Sequence, residues 1–579
     1  MSKRFSHSVV NLCLSVPICL AISACMTTPT KPTATPSPQY SQQQRQQASE
    51  QFQATWQQFQ TLTLANDPLL RQTLGHNGEF EWADISAEAQ AQQLQDWQTL
   101  RQQLTDIEQA ALSDDEKSRY DALISRLEQQ LLSAPFSALA LDLTGPNAWQ
   151  RVIPTTLIAH HPVERISDVY DYRDRLQGAA ELLVRWREQW QQADQRFLPP
   201  QSAFDLAISD IDRLLDGQPF AEKAAHHSPL WADIQGKITR LDLYPSSQRV
   251  LQQRLQRTLV KQLGPALTAV RAELQQLRAQ APAFAALNQH PDGLRYYQLQ
   301  LHDFTDSQWD AQHWHNLATQ QVRRLQQQWL QGGELGSEQR FSDLLAAAPL
   351  ISDVDAQIQA QQSLLEQASK ALAGRWDSNE LPALAVLAEP DLVQAFTDVA
   401  RYRPGQYRIN PTALQAMTHY QLMATSLRRG LAAHWQFYNA TQPYQTAMLT
   451  SHATEAGWQA YAAQQLLPQL EKQHSDWRRA IVLSELNDAC LAVVDTGIHA
   501  LNWSQGQTEN FLSSQCNLSP AWQAHWLMRI QDQPAAAVAA FAGLQQWQQL
   551  TASTNTDVGG LLRRGPLPLD TLRSITSAD

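Results

Sequence analysis

Apolar residues recur at helical spacing along nearly the whole chain, and this periodicity is the feature that most restricts its fold. Ser113 followed by Glu116 has the pattern of a capping box and predicts a helix start. The apolar residues behind it form one helical stripe: Tyr120, Leu123, Ile124, Leu127 and Leu131. Strand-like alternation is scarce. The sequence therefore predicts an all-α protein.

Further start and stop signals divide the chain into long helices joined by short turns. Thr305 with Gln308 predicts a helix that runs to Gly332-Gly333, and Asn410-Pro411 predicts one that continues toward Trp435. Two more starts are predicted at Ser504 with Gln507 and at Ser519-Pro520. Gly264-Pro265 is expected to interrupt or kink a helix whose apolar stripe is Leu251, Leu255, Leu259 and Leu263. The abundant tryptophans fall mostly at helical spacing and are interpreted as core residues.

The N-terminus has the layout of a signal peptide. Lys3 and Arg4 precede an apolar run over residues 9–22, and two small residues and Cys25 follow. This ending resembles a bacterial lipobox, in which Cys25 receives the lipid (including palmitate) and becomes the mature N-terminus; an ordinary secretion signal is the alternative. Met26 favours sorting to the outer membrane. We expect a signal peptide over 1–24, a lipidated tether over 25–46 and a helical domain over 47–575.

Composition narrows the classes of partner. The net charge is −12, and no run of five or more Lys or Arg occurs, so nucleic acid is not an expected partner. No second segment has about 18 consecutive apolar residues, so membrane attachment is expected to depend on the lipid at Cys25. Outside the signal region only Cys490 and Cys516 remain. In an oxidising periplasm they either form a disulfide or stay as two buried thiols.

A search for catalytic motifs in the sequence finds no self-evident site. The chain contains no His-Glu dipeptide, so it has no H-E-x-x-H zinc motif. The pairs His160-His161 and His226-His227 are adjacent in sequence, and their side chains are expected to diverge. A nucleophile elbow, a P-loop and a dinucleotide fingerprint are absent from the sequence as well.

Several segments nevertheless resemble a bacterial family known as domain of unknown function 885. The most specific is Val493-Val494-Asp495-Thr496-Gly497-Ile498-His499, which is similar to that family's V-V-D-T-G-I-H run; the other matching segments are 403–410, 456–461 and 565–569. The resemblance is strongest over about 400 to 570. It implies an all-α fold, expected to be a helical clamshell with a central groove, and a metallopeptidase-like ancestry.

The family's presumed metal motif, H-E-x-x-P-G-H-H-x-Q, is degenerate in this chain. The positions of its first His, its Glu and its second His (the first of the adjacent pair) read Leu427, Arg428 and Ala433, and only the last His is kept, as His434. Three other motifs have also changed. The Glu of E-G-W is Ala456, the arginines of R-A-x-R are Asp488 and Leu491, and the Tyr of P-G-Q-A-x-x-Y-x-x-G is Ala540. A fixed guanidinium at 428 would repel a divalent cation.

The lipobox-like run implies an envelope lipoprotein. The departures from the family motifs imply that it is a non-catalytic or metal-deficient relative, with no cofactor expected. Such a relative would bind a peptide or an envelope protein. One alternative is an active peptide hydrolase with a rebuilt zinc site; another is a structural envelope-assembly lipoprotein. The candidate groove residues are His434, Glu455, Asp495 and His499. Three of them also have a structural interpretation: His434 and His499 as core histidines, and Asp495 as a cap or turn where its helix ends.

Overall fold

The protein is described from a computed structural model. It covers residues 40–67, 70–71, 82–136, 139, 141–192, 196–331, 353–372, 381–415, 417–441, 447–516, 518, 520–552 and 556–578. The predicted signal peptide, Cys25 and most of the predicted tether lie outside these residues, as does Gly332-Gly333.

The fold is all-α, as the periodicity predicts. The helices are α1 Gln42–Asn66, α2 Ala87–Thr105, α3 Asp114–Ser133, α4 Trp149–Pro154, α5 Ile166–Gln192, α6 Gln201–Leu215, α7 Pro229–Thr239, α8 Pro245–Thr258, α9 Gly264–Gln280, α10 Gly293–Thr305, α11 Ala311–Gln331, α12 Val354–Leu372, α13 Pro411–Leu414, α14 His419–Thr425, α15 Ala433–Asn439, α16 His452–Leu470, α17 Asp476–His499, α18 Gln505–Gln515, α19 Pro520–Asp532, α20 Ala539–Leu550, α21 Val558–Arg563 and α22 Leu569–Ala578. Three π-helical segments, Thr155–Ala159, Leu259–Leu263 and Ser426–Ala432, continue α4, α8 and α14.

A small three-stranded sheet interrupts the helices between α12 and α13. Its strands are β1 Ala385–Ala388, β2 Ala400–Arg403 and β3 Gln406–Ile409, and their order is β1-β3-β2. β1 pairs with β3 in parallel, and β2 pairs with β3 antiparallel through a turn at Gly405, whose φ is +74°. Glycine adopts this left-handed conformation without steric cost.

Local capping signals predict several helix starts correctly. Ser113 and Glu116 form both bonds of a capping box, and Ser504 does the same with Gln507. Asn410 caps α13 by accepting a hydrogen bond from the N–H of Ala413. An unpredicted box at Ser41 starts α1 at Gln42, so the helical body begins inside the segment that was expected to be tether.

At Gly264-Pro265 the α-helical hydrogen-bond pattern is interrupted, as predicted: the π segment Leu259–Leu263 leads into α9, and Pro265 stands in the first turn of α9. Two other predicted boundaries are wrong. Thr305 is the last residue of α10 and not a cap, and its hydroxyl donates to the carbonyl of Leu301. The helix from Pro411 ends at Leu414, and a new capping box at Thr418 starts the one that reaches Trp435.

The buried apolar residues form two separate cores. One is built mainly from α4–α9, and the other from α1–α3 and the C-terminal helices together with the inner face of the sheet. The largest side chains in the second core are tryptophans, as predicted: Trp314, Trp435, Trp458, Trp477 and Trp547 are all fully buried. Two cores suit a clamshell, although the clamshell shape with its central groove stays a prediction.

Cys490 and Cys516 form a disulfide, with their Cα atoms 6.1 Å apart. It ties the middle of α17 to the end of α18. Of the two states that the sequence leaves open, the structure therefore has the bonded one. Within the described part of the chain, none of the helices combines the length and the apolar character that crossing a bilayer requires.

Candidate functional site

The degenerate metal motif lies on one continuous helix, formed by α14, the π segment Ser426–Ala432 and α15. The N–H of Ala433 donates to the carbonyl of Arg428, five residues back, which is the spacing of a π turn. Such turns occur mostly at functional positions. Leu427 and Ala433 are buried in the apolar core. Neither side chain has an atom that could bind a metal ion.

Arg428, in place of the motif's glutamate, forms an ion pair with Asp488 of α17. Nη1 of Arg428 lies 2.7 Å from Oδ2 of Asp488 and also donates to the hydroxyl of Ser484. Both charged side chains are largely buried, at 13% and 17% exposure. Burial raises the pKa of Asp488, and the guanidinium of Arg428 opposes that shift. Asp488 is itself one of the substituted motif positions, so opposite charge changes at two distant motifs meet in one contact.

A second pair of opposite charges, Arg429 and Glu455, is exposed to solvent close to this ion pair. Arg429 donates to the carbonyl of Ala400 at 3.3 Å. The pKa of Glu455 is nevertheless raised by desolvation, against the opposing charge of Arg429. Water therefore reaches the carboxyl of Glu455, although neighbouring protein atoms partly desolvate it. We call these four residues, Arg428, Arg429, Glu455 and Asp488, the charged cleft.

Glu485 lies beside the charged cleft, on α17. Its side chain is almost fully buried, and burial raises its pKa to about 7 while the nearby Arg428 lowers it. Asp488 adds to the rise because a second carboxylate nearby disfavours ionisation. Burial thus raises the pKa of three neighbouring carboxyl groups, those of Glu455, Glu485 and Asp488.

His434 uses both ring nitrogens within the protein. Nε2 lies 2.8 Å from the carbonyl of Pro382, and Nδ1 lies 3.2 Å from the hydroxyl of Tyr402. Because a backbone carbonyl only accepts, Nε2 carries the proton and Nδ1 accepts from Tyr402. Burial lowers the pKa of His434, which favours this neutral form. The retained histidine is therefore a structural residue that positions the sheet, and it has no nitrogen left for a ligand.

His499 is also a satisfied core residue. It is fully buried, its Nδ1 accepts from the N–H of Leu287 at 3.2 Å, and its Nε2 lies 2.9 Å from the carbonyl of Ile530. Burial lowers its pKa to about 4, so the imidazole stays neutral. Of the two readings the sequence allows, the structure has the core one.

Asp495 lies inside α17 and does not cap its end, so the predicted capping role is wrong. Its Oδ1 accepts from the hydroxyl of Tyr297 at 2.7 Å and from the N–H of Ala535 at 3.0 Å. Ala535 has a left-handed backbone, with φ at +71°, at the position where the family motif has glycine. The carboxyl therefore holds an unusual turn in place, far into the core. Burial raises the pKa of Asp495 to about 7.

This raised pKa gives a testable dependence of stability on pH. The folded state binds the proton of Asp495 more tightly than the unfolded state, so this stabilisation is complete below pH 4 and is lost as pH rises toward 7. Asp495→Asn stays neutral throughout. We expect the free energy of unfolding of wild type, relative to that of the variant, to fall by about 1.4 kcal/mol per pH unit between about pH 4.5 and 6.5, and less steeply near pH 7. Urea unfolding at each pH measures it; a constant difference would contradict it.

The residues at the degenerate motif do not fit a zinc ion. Leu427, Ala433, Ala456 and Ala540 offer no donor atoms, Arg428 brings a positive charge, and His434 is fully bonded. His452, at the start of α16, packs against Phe304 with the two rings tilted and their centroids 4.6 Å apart. Within the described ranges, no group of three or more His, Cys, Asp or Glu side chains converges as metal ligands do. The candidates His434, Glu455, Asp495 and His499 are not brought together.

Comparison with known proteins identifies the family of this chain and solved structures with a similar fold. The bacterial protein family of unknown function DUF885 matches residues 68–575. The crystal structure of a "putative lipoprotein" from Colwellia psychrerythraea superposes with a TM-score of 0.78 at 17% identity, over 92% of this chain and 99% of that one. A "putative lipoprotein of unknown function" from Shewanella oneidensis gives a TM-score of 0.64 at 12% identity, over 91% of this chain and 99% of that one. Among curated proteins, none matches the sequence. The chain belongs to the DUF885 family.

Proposed function

We propose that this protein is an envelope lipoprotein that binds a peptide or a protein segment in the charged cleft without a resident metal ion. The ion pair between Arg428 and Asp488 carries the proposal, because it fills the motif position with a fixed cation and neutralises that cation internally. The exposed pair Arg429 and Glu455 then offers a donor and an acceptor to a polar ligand such as a peptide backbone.

The experiment combines peptide binding with metal analysis. Full-length protein equilibrated with zinc and dialysed is expected to hold no stoichiometric metal, because the residues at the degenerate motif offer no converging set of ligands. A fluorescent pool of unstructured peptides is expected to bind, and Glu455→Gln to weaken binding by about tenfold, as for loss of one charged hydrogen bond. Glu88→Gln, an exposed carboxylate on α2, is the matched control. One zinc per chain together with peptide turnover would contradict the proposal and favour the hydrolase; binding of neither would favour an assembly protein.

The lipid anchor is tested separately. The solved relatives described as lipoproteins and the lipobox-like run ending at Cys25 support the proposal of an envelope location. Cys25→Ser is expected to move the protein from the membrane to the soluble fraction, since no acyl chain can then be attached. Fractionation with sucrose gradients, which separate inner from outer membranes, measures this. Unchanged membrane retention of the variant would refute lipid anchoring at Cys25.

A further inference from the structure

One face of the small sheet concentrates positive charge. In the antiparallel pair, Arg401 stands opposite Arg408, and Arg403 stands opposite Gln406. Residues paired in register, and residues two apart on a strand, point to the same side of a sheet, so all four lie on one face. The residues of the opposite face are buried in the core: Ala400, Tyr407 and Ile409. We call the face with the three arginines the arginine face.

This face carries more positive than negative charge. Glu389 forms a two-pronged ion pair with Arg401, with Oε2 at 2.9 Å from Nη2. Arg408 instead donates to the neutral amide oxygen of Gln406 at 3.1 Å, and Arg403 contacts the imidazole of His160, with Nη1 2.9 Å from Nδ1. In the described part of the chain, no other carboxylate lies within ion-pair distance of these arginines. Two guanidinium charges therefore stay unneutralised.

The uncompensated charge costs stability in the unliganded protein. Like charges directly opposite each other on neighbouring strands are destabilising. The positive charge also acts on His160, where burial and then the charges of Arg403, Arg401 and Arg408 lower the pKa to about 2. Burial and the two neighbouring arginines also lower the pKa of Arg403, to about 10. A bound anion would remove this repulsion.

The arginine face is within reach of a ligand. Arg403, Arg408 and His160 are all partly exposed. Leu387 of β1, the register partner of Arg408, is 36% exposed and adds an apolar surface beside the guanidinium groups. His160 follows the π segment of the first core, whereas the sheet packs on the second, so the contact between Arg403 and His160 spans the boundary between the two cores.

We propose that the arginine face is an oxyanion site, in which Arg403 and Arg408 bind a carboxylate or a phosphate group. Guanidinium groups bind planar oxyanions through paired hydrogen bonds, and Gln406 and His160 hold the two side chains in position. This inference deepens the proposed function and rests on it for one point: the ligand that brings the carboxylate is the C-terminal end of the bound peptide. Leu387 then contacts the side chain next to that carboxylate.

The test uses full-length protein and three probes in isothermal titration calorimetry: inorganic phosphate, a short peptide with a free C-terminal carboxylate, and the same peptide as its amide. We expect the carboxylate peptide to bind at least about tenfold more tightly than the amide, as for a charge-assisted hydrogen bond. Arg408→Gln should abolish that difference, and Arg403→Gln should do the same. Arg249→Gln, an exposed arginine on α8, is the control. Competition between phosphate and the carboxylate peptide would show that both oxyanions bind at the same site.

A second measurement, of the melting temperature, distinguishes ligand binding by Arg408 from a purely structural role of this residue. Because Arg408 faces a like charge, Arg408→Gln should melt at the same or a higher temperature than wild type without ligand, and phosphate should raise the melting temperature of wild type only. Equal affinity of wild type and Arg408→Gln for both phosphate and the carboxylate peptide would overturn the oxyanion site. Arg408-dependent binding of phosphate with no peptide binding would keep this site and refute the proposed function. Peptide binding that depends on neither the terminal carboxylate nor Arg408 would refute the oxyanion site and keep the proposed function.

Discussion

Gly457→Ala is expected to lower the free energy of unfolding by about 3 kcal/mol, the upper end of the cost of overpacking. Gly457 of α16 faces Gly543 of α20, and a Cβ atom at 457 would lie 2.3 Å from the carbonyl carbon and 2.4 Å from the Cα of Gly543. Those atoms belong to the backbone, so no change of rotamer can relieve the clash. The two helices would have to move apart, which would disturb Trp458 and Trp547 packed beside them.

Gly543→Ala should have the same effect, since its Cβ would lie 2.0 Å from the carbonyl oxygen of Ala453. The matched control is Gly506→Ala in the exposed first turn of α18, where nothing lies within 4 Å of the added atom. We expect that variant to be neutral or slightly stabilised, because alanine favours helix more than glycine. Chemical denaturation followed by circular dichroism measures all three. Equal effects at 457 and 506 would show that the helices do not depend on this contact.

Removing the disulfide has the second large effect. The bond closes a loop with a sequence separation of 26 residues, and in the chain-entropy description a loop of that length contributes about 3.5 kcal/mol. Both sulfur atoms are fully buried, so replacing the two cysteines with alanine keeps the site apolar. The double variant Cys490→Ala/Cys516→Ala is expected to lose this free energy of unfolding and therefore to unfold at a lower urea concentration.

Reductant provides the control for the disulfide. Dithiothreitol should shift the wild-type unfolding midpoint toward that of the double variant and leave the variant itself unchanged. A variant with the wild-type midpoint would mean that the bond does not constrain the unfolded chain. The oxidised bond also suits a periplasmic location, where disulfides persist.

Local signals explain why so much of the fold is predictable from sequence. A capping box involves residues within one turn, as at Ser113, and an apolar stripe reports only that a helix has a buried side. The errors occur where distant contacts decide. Thr305 has the sequence pattern of an N-cap but is the last residue of a helix. The helix ends there because the next residue, Asp306, has a left-handed backbone. The carboxylate of Asp306 accepts a hydrogen bond from the N–H of Leu569, near the C-terminal end of the chain.

The candidate site is harder to predict, because its residues are joined only by the fold. The motif comparison identifies Arg428 and Asp488 as departures, yet it does not reveal that they contact each other. The available signal was that the two changes carry opposite charge. His434 and His499 illustrate the reverse case: a sequence motif keeps them as possible ligands, whereas their backbone partners, Pro382 and Ile530, make them structural.

The reciprocal charges at 428 and 488 have a consequence for how this chain can diverge. Restoring an acidic residue at 428 alone would set two negative groups against each other in a mostly buried contact, and restoring arginine at 488 alone would set two positive groups there. Each of these single reversions is therefore penalised, whereas a double replacement keeps the two charges opposite. The effect of a change at either position thus depends on the residue at the other, which is epistasis between two distant motifs.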